Sequence, residues 1–252
     1  MQTKSTRYEL FDTIRGITLI SMAIYHNIWD MVNIFGMKAD WYLGNPGFIW
    51  QQSICIVFLF LSGFCISFGK KKYINGVKVF LSGTIISIFS YLFFYEERML
   101  FGVLMFLGTS MILVNFFETW LKRIPKEIGF ICSTVLFLIT RNINEGELGC
   151  YSFSILQLPK SLYHGYIMTF FGFTDNHFFS TDYFSLFPWV FLFLMGFYAY
   201  FFWEQLTEKK SLYHFKIPGV TFLGRHTLLL YILHQPVIYG VLQIIYKVHF
   251  LK

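Results

Sequence analysis

The sequence predicts an all-α membrane protein: a bundle of about seven transmembrane helices with a cytoplasmic N-terminus and one long outer segment. Three observations predict this fold class. Apolar residues make up 56% of the 252 residues and charged residues only 13%, about half the charged share of an ordinary soluble domain. Apolar runs of nearly 20 residues, the length that crosses a bilayer, recur along the chain. Lysine and arginine concentrate in alternate connecting segments.

The seven predicted spans follow one another along the chain. The first begins with Asp12 and Arg15. Its end carries His26 and Asp30, and no small-residue cleavage site follows, so it is interpreted as a retained anchor and not as a signal peptide. The fifth span is the shortest and ends at Arg141. The predicted spans are 10–31, 48–69, 79–95, 99–120, 127–141, 184–203 and 227–246.

The distribution of positive charge predicts the orientation. Seven crossings from a cytoplasmic N-terminus place 14 of the 20 lysines and arginines inside and 6 outside, and positive charges favour the cytoplasmic side. An eighth crossing between 150 and 173 would move the cluster at 209–225 outside. Residues 142–183 are therefore expected to form one outer segment, and whether parts of it enter the membrane stays open. The expectation is a single domain over 1–252, multi-pass in the cell membrane.

Two further observations exclude other classes of protein. The net charge of +6 follows from this topology, so binding to nucleic acid is not expected. The cysteines show no spacing typical of a disulfide framework or a zinc site. They are Cys55, Cys65, Cys132 and Cys150.

Four ionisable residues of the first span are predicted to lie on one narrow stripe of the helix. At about 100° per residue, they occupy a sector of about 60°. A charged side chain in the middle of a spanning helix costs about 2.5–3.5 kcal/mol on insertion scales. The stripe is therefore expected to face the bundle interior and to carry function. Its members are Asp12, Arg15, His26 and Asp30.

Two histidines and a serine are expected to share one layer near the middle of the membrane. His26 lies about 16 Å along its helix from Arg15, and His234 lies about 13 Å from Arg225. Ser62 lies about 12 Å from the inner edge of its span. Helix packing alone is the alternative explanation for each of the three.

The chemistry that suits this layer is proton transfer, because histidine titrates near pH 6.5 and acts as a base or an acid. Asp30 follows His26 at i+4, where a carboxylate would fix the tautomer of the imidazole. At the inner edge, Arg15, Arg225 and His226 lie beside the stripe. An arginine fork suits phosphate, so these residues are candidates for an anionic cytosolic ligand.

The same residues resemble a known family pattern. The stretches that carry the resemblance are 12–16 with Met22, His26 and Asp30, and then 58–64, 182–189, 223–228 and 231–236. They resemble the heparan-alpha-glucosaminide N-acetyltransferase catalytic-domain-like family of polytopic membrane acyltransferases, in its short bacterial form. An arginine–glycine pair with a histidine ten residues after the glycine, here Arg15, Gly16 and His26, also resembles the opening of the acyltransferase-3 family of membrane O-acetyltransferases.

The resemblance implies a transmembrane acyltransferase domain that moves an acetyl group from cytosolic acetyl-CoA to a sugar or glycan acceptor at the outer side. It implies His26 as the catalytic base and Arg15 as part of the acyl-CoA site. His234 is then expected to donate to the developing oxyanion or thiolate. The expected catalytic residues are His26, Asp30 and His234. The expected acetyl-CoA-binding residues are Arg15, Asp12, Ser62, Arg225 and His226.

Two other functions remain as alternatives. A small-solute or proton transporter would use the histidines as a relay, but such transporters usually carry an internal repeat, and the sequence shows none. An inactive membrane scaffold would not need His26, Asp30 and His234 together. The expected partners are membrane lipid, acetyl-CoA and the acceptor. The identity of the acceptor, O- or N-acetylation, an acetyl-enzyme intermediate and the oligomeric state, with a homodimer among the options, stay open.

Overall fold

The computed structural model describes residues 8–205 and 215–250, and these residues are mostly helical. Lys4, Arg7, Lys209 and Lys210, which contribute to the predicted inner charge, lie outside the described residues. Within the described part, ten α-helices follow in chain order. They are α1 Glu9–Asn33, α2 Asp40–Leu43, α3 Asn45–Ile66, α4 Lys72–Phe93, α5 Val103–Leu121, α6 Lys126–Ile139, α7 Gly165–Phe171, α8 Trp189–Gln205, α9 Pro218–Arg225 and α10 Thr227–Phe250.

Each of the seven predicted spans coincides with one long helix, namely α1, α3, α4, α5, α6, α8 or α10. Four helices are long and apolar enough to cross a membrane: α3, α4, α5 and the Thr227–Val248 part of α10. The other three long helices do not meet this requirement of length and hydropathy. Helix α1 carries the ionisable stripe, and α6 and α8 have only 14 and 17 residues. The helices support a membrane protein, whereas the count of seven crossings stays a prediction.

The all-α prediction needs correction in the segment 142–183. Two antiparallel strands form there, β1 Glu147–Cys150 and β2 Phe153–Gln157. The side chain of Asn142 binds the turn between the two strands. Its Nδ2 donates to the Tyr151 carbonyl at 2.7 Å, and its Oδ1 accepts from the Tyr151 N–H at 2.8 Å. Strands this short show too few alternations for the period of two to be detected.

The rest of this segment is held together by a central amide. Asn144 Nδ2 lies 3.0–3.3 Å from four oxygen atoms that come from the stretches 172–174 and 183–185. These are the Gly172 carbonyl and the side chains of Thr174, Tyr183 and Ser185. The segment is therefore an ordered structure, as its aromatic content suggests, and it includes the short helix α7.

The chain divides into two compact units, residues 1–58 with 207–252 and residues 59–206. In the first unit, α1 packs against α9 and α10. Leu19, Met22 and Ile54 form its buried centre, and Tyr231 of α10 packs against them. In the second unit, α4 packs on α5 and α6 packs on α8. The prediction of a single domain over 1–252 stays a prediction.

The basic cluster predicted for the inner side has a structural partner in the second unit. Glu118 Oε1 lies 2.6 Å from Lys72 Nζ and 2.7 Å from Lys122 Nζ. The carboxylate thus joins the start of α4 to the end of α5. These two ion pairs give Lys72 and Lys122 a role in packing the helices. The sequence predicts for them only a role in orienting the protein in the membrane.

Candidate functional site

The ionisable stripe of α1 faces α9 and α10 within the first unit, as the helical spacing predicts. Asp12 and Asp30 are 3% and 0% exposed. Asp12 approaches Arg225 at the end of α9, and Asp30 contacts Gln235 of α10. The stripe therefore has two ends, one at each partner helix, and both lie in the same unit.

His26 and His234 meet across the contact between α1 and α10. Their ring centroids are 5.1 Å apart and the ring planes are inclined by 57°. The two side chains that the sequence places in one layer are therefore neighbours in the structure, and their catalytic roles stay predictions. Two positive charges at this separation would repel by about 3 kcal/mol at an effective dielectric constant of about 20. The pair therefore favours holding a single added proton, which suits the transfer of one proton at a time.

The tautomer of His234 follows from its backbone partner. Its Nδ1 lies 2.6 Å from the Tyr231 carbonyl oxygen, one turn earlier in α10. A carbonyl oxygen only accepts, so Nδ1 carries the hydrogen of the neutral ring and Nε2 carries the lone pair. That nitrogen is buried, with no hydrogen-bond partner in the described part of the chain. The resting ring thus presents an acceptor, whereas the predicted donor role of His234 requires a hydrogen on Nε2.

Asp30 has a polar partner that the sequence analysis missed. Gln235 Nε2 donates to Asp30 Oδ1 at 2.7 Å. The nitrogen of the amide is thus the atom that faces Asp30. Gln235 Oε1 is buried, and it too has no hydrogen-bond partner among the described residues. The predicted orientation of His26 by Asp30 stays a prediction.

A local signal for Gln235 exists in the sequence. It is a neutral amide inside an apolar helix, directly between His234 and Pro236. Proline within a helix removes one backbone N–H and loosens the preceding turn, and Pro236 lies inside α10. A polar side chain beside such a break is a candidate for function in a membrane helix.

A row of aromatic rings leads from the histidine pair to an exposed tryptophan. The Tyr25 ring lies 5.9 Å from the His26 ring and 5.4 Å from the Trp50 ring. Trp50 in turn stacks on Trp41 at 6.3 Å, and Trp41 is 51% exposed. Rings of this kind combine an apolar face with a polar edge. The row thus offers stacking surfaces beside the histidines.

Tyr42 of the short helix α2 supports this row from behind. It is buried, its ring lies 4.9 Å from the Tyr25 ring, and its hydroxyl donates to the Tyr25 carbonyl oxygen at 3.3 Å. Burial raises the pKa of the Tyr42 hydroxyl, and the contact with Tyr25 raises this pKa further. The hydroxyl therefore stays protonated at physiological pH and remains a donor that fixes the row.

At the other end of the stripe, α1 and α9 approach closely through two glycines. A Cβ on Gly224 would lie 2.7 Å from the Asp12 carbonyl carbon, and one on Gly16 would lie 2.8 Å from Val220 Cγ1. The hydroxyls of Thr13 and Thr221 share a hydrogen bond of 2.7 Å in the same contact. Only glycine allows backbones this close. The packing brings Arg225, the residue after Gly224, to the first turns of α1.

The predicted acetyl-CoA arginines belong to a mixed ion cluster there. Arg225 Nη2 lies 2.8 Å from Glu9 Oε1, and Arg225 Nε lies 3.6 Å from Asp12 Oδ2. Arg15 Nη1 lies 3.4 Å from Asp12 Oδ1, and Lys216 Nζ lies 3.7 Å from Glu9 Oε2. Among the described residues, these three cations and two carboxylates leave one positive charge in excess. An anionic ligand would therefore compete with the carboxylates for the guanidinium groups.

Glu9 is a second residue that sequence reasoning missed, although it precedes Asp12 by three positions on the same helix face. His226, another predicted ligand, lies exposed at the end of α9 with its ring 4.7 Å from the Phe222 ring. Ser62 belongs to the second unit, so its predicted place in the histidine layer stays a prediction. The structure thus brings together the stripe with Arg225 and His234, all on α1, α9 and α10.

Comparison with known protein families gives a match over most of the chain. The family model described as heparan-alpha-glucosaminide N-acetyltransferase, catalytic, matches residues 7–236. This range includes the whole ionisable stripe together with Arg225, His234 and Gln235. No curated protein and no solved structure matches the chain. The matched range covers most of the 252 residues, so the chain belongs to the catalytic family of heparan-alpha-glucosaminide N-acetyltransferase, a family of membrane acetyltransferases.

Proposed function

We propose that this protein transfers an acetyl group from cytosolic acetyl-CoA to a sugar or glycan acceptor at the outer side of the membrane. The observation that carries the proposal is the pair formed by His26 and His234, whose ring centroids are 5.1 Å apart. Acyl transfer from a thioester requires that the nucleophile lose a proton and that the leaving thiolate gain one. Two imidazoles side by side, with buried Asp30 near them, suit this task.

The aromatic row supports a sugar as the acceptor. A pyranose ring has an apolar face of C–H groups that packs on aromatic side chains, while its hydroxyls need polar partners. Trp41 and Trp50 offer such faces, and Tyr25 connects them to His26. The row thus extends from His26 to an exposed ring on which a sugar can stack, and this supports a sugar or glycan acceptor.

The ion cluster supports an anionic donor at the opposite end of α1. Arg15 and His26 are separated by about 16 Å along the helix. The phosphates of acetyl-CoA are far from its thioester, so an extended molecule would place phosphate at Arg15, Arg225 and His226 and the acetyl group near His26. Asp12 holds both guanidinium groups in position through its ion pairs with them. Ser62 belongs to the second unit, and its contact with the donor stays a prediction from the sequence.

The charge balance of the cluster gives the first testable prediction. Arg225→Ala should weaken CoA binding by at least tenfold, because one charge-assisted hydrogen bond contributes about 1.5–3 kcal/mol. Glu9→Gln should strengthen CoA binding, because it removes the carboxylate that competes for Arg225. Calorimetric titration of CoA into the detergent-solubilised variants measures both effects.

The control for this titration is His26→Ala, which should bind CoA like the parent because His26 meets only the acyl end. Should Arg225→Ala and Arg15→Ala both bind CoA with the affinity of the parent, the arginines serve only topology and packing. The donor site would then have to lie elsewhere.

The orientation gives the second prediction. Reporter fusions after Lys72 and Lys210 are expected to read cytoplasmic, and a fusion after Lys160 is expected to read external, because the inner side holds the excess of lysine and arginine. Lys210 lies outside the described residues, but the fusion depends only on its position in the chain. A cytoplasmic reading at Lys160 would overturn the proposed topology.

The activity itself is tested with purified protein in detergent or bilayers. Radiolabelled acetyl-CoA is supplied together with hexosamines, hexoses or lipid-linked sugars, and acetylated product is separated from free acetate. Transfer to at least one sugar above the rate of the His26→Ala variant is expected. If the parent protein converts acetyl-CoA into neither acetylated sugar nor free acetate, the proposal is contradicted.

A further inference from the structure

We infer that His234 Nε2 takes the proton from the nucleophile of the acceptor, and that Gln235 Oε1 receives a second hydrogen-bond donor of the same molecule. This inference rests on the proposed acetyl transfer. It moves the role of base, which the sequence assigns to His26, to His234, and it adds Gln235 to the site. The acceptor it describes is a polyhydroxylated molecule whose reacting hydroxyl or neutral amine has a second donor group nearby.

The assignment of His234 as base comes from its fixed tautomer. The Tyr231 carbonyl oxygen at 2.6 Å holds the hydrogen on Nδ1, so Nε2 is left as an acceptor that is buried and has no partner in the described chain. The same carbonyl stabilises the ring once Nε2 also gains a proton, as the carboxylate does in a catalytic triad. The contacts of His26 with Tyr25 and His234 are ring contacts, which fix no tautomer.

The assignment of Gln235 comes from the direction of its amide. Asp30 Oδ1 accepts from Nε2 at 2.7 Å, and Oε1 is buried without a donor among the described residues. A buried carbonyl oxygen without a donor is unfavourable, so Oε1 favours a ligand that brings a hydroxyl or N–H. His234 Nε2 and Gln235 Oε1 therefore both act as hydrogen-bond acceptors. A pair of acceptors favours a substrate that supplies hydrogen-bond donors.

The reaction step follows from these positions. The acceptor hydroxyl donates its hydrogen to His234 Nε2 while its oxygen attacks the carbonyl carbon of the thioester, so the new C–O bond forms as the O–H bond breaks. The tetrahedral intermediate collapses, the C–S bond breaks, and its electron pair goes to sulfur. The proton on Nε2 then passes to the CoA thiolate. The products are the acetylated acceptor and CoA with a free thiol, and the imidazole returns to its first state.

Three substitutions of His234 distinguish its role as a base from a role as a hydrogen-bond donor. Asparagine places an amide near Nδ1, where it keeps the bond to the Tyr231 carbonyl. Glutamine places an amide near Nε2, where it can donate but cannot take a proton. With glucosamine and methyl glucoside as probe acceptors, His234→Asn, His234→Gln and His234→Ala are all expected to lose at least 100-fold in kcat, with CoA binding unchanged. A His234→Gln variant that recovers to within tenfold of the parent would show a donor role and overturn the assignment.

A second measurement does not depend on activity. Solid-state ¹⁵N spectra of the histidine-labelled protein in bilayers at about pH 8 distinguish the two neutral tautomers. The spectrum should contain a signal of the form protonated at Nδ1 that disappears in His234→Asn. Assignment of His234 to the form protonated at Nε2 would overturn the inference. A parent protein that shows the expected tautomer but no acetyl transfer would instead contradict the proposed function.

The role of Gln235 is tested with a substitution of similar shape. Gln235→Met should raise the KM for the acceptor at least tenfold and leave the KM for acetyl-CoA unchanged. The matched control is Gln243→Met in the same helix, where the amide bonds to the Tyr239 hydroxyl at 2.9 Å. Because Gln235→Met removes the donor to buried Asp30, the double variant with Asp30→Asn provides a neutral partner if the single variant unfolds. An acceptor KM like that of the parent in a folded variant would exclude Gln235 from the site.

Discussion

Replacement of His26 by alanine is expected to reduce the rate of acetyl transfer by about 10²–10⁴-fold, the typical loss when a positioned acid or base is removed. The His26 ring lies 5.1 Å from the ring of His234, so the variant loses half of the pair that handles the proton. It also opens the space between Tyr25 and His234. The measurement is the initial rate of label transfer from acetyl-CoA to glucosamine by the purified variant.

Two controls accompany the His26 variant. His164→Ala changes an exposed histidine of the second unit and should leave the rate unchanged. Asp30→Asn should cost less than His26→Ala, because Asp30 bonds to Gln235 and supports the site without transferring the proton itself. A rate near that of the parent in His26→Ala would contradict the proposed chemistry, provided that CoA still binds.

Helical periodicity made much of this site predictable. Positions 12, 15, 26 and 30 share one face of any regular helix, and the cost of burying charge in a membrane predicts which way that face points. The depth of His26 and His234 follows from the rise per residue, counted from arginines at the inner edge. Both arguments use only properties of a single helix. The structure shows the stripe of α1 in contact with α9 and α10, whereas the depth in the membrane stays a prediction.

Other features depend on how two helices are rotated against each other, which no single-helix argument can supply. The bond between Gln235 and Asp30 exists because α10 turns one amide towards α1. The ion pair between Arg225 and Glu9 likewise needs the close approach of α9 and α1. The tautomer of His234 is set within α10, by the side-chain rotamer that turns Nδ1 to the Tyr231 carbonyl, and the spacing of residues does not give that rotamer. Each of these contacts alters a role that the sequence alone assigned.

The pairing of Arg225 shows how such a contact changes an interpretation. In the sequence, an arginine that follows a glycine at the end of a helix suggests a residue that binds phosphate. In the structure its guanidinium already lies 2.8 Å from Glu9. The free energy that Arg225 contributes to CoA binding is therefore the difference between its interaction with phosphate and its interaction with Glu9. The same residue also holds α9 against α1. Loss of Arg225 should consequently affect both binding and stability.

Gly224→Ala is expected to destabilise the first unit strongly, because the added Cβ would lie 2.7 Å from the Asp12 carbonyl carbon and 3.0 Å from the Gly16 nitrogen. Both neighbours are backbone atoms, which cannot rotate away. Overpacking a close contact costs about 1–3 kcal/mol, and the contact with backbone favours the upper end. Thermal unfolding of the purified variant in detergent, followed by circular dichroism, should show a clear fall in Tm.

The matched control lies in the same helix. Gly219 of α9 has open space around the position of its Cβ, so Gly219→Ala meets no clash and gains about 0.5–1 kcal/mol of helix propensity. Its Tm should equal or exceed that of the parent. Similar Tm values for Gly224→Ala and Gly219→Ala would show that α1 and α9 do not pack through Gly224. The position of Arg225 beside Glu9 and Asp12 depends on that packing, so Gly224→Ala should also weaken CoA binding, whereas Gly219→Ala should not.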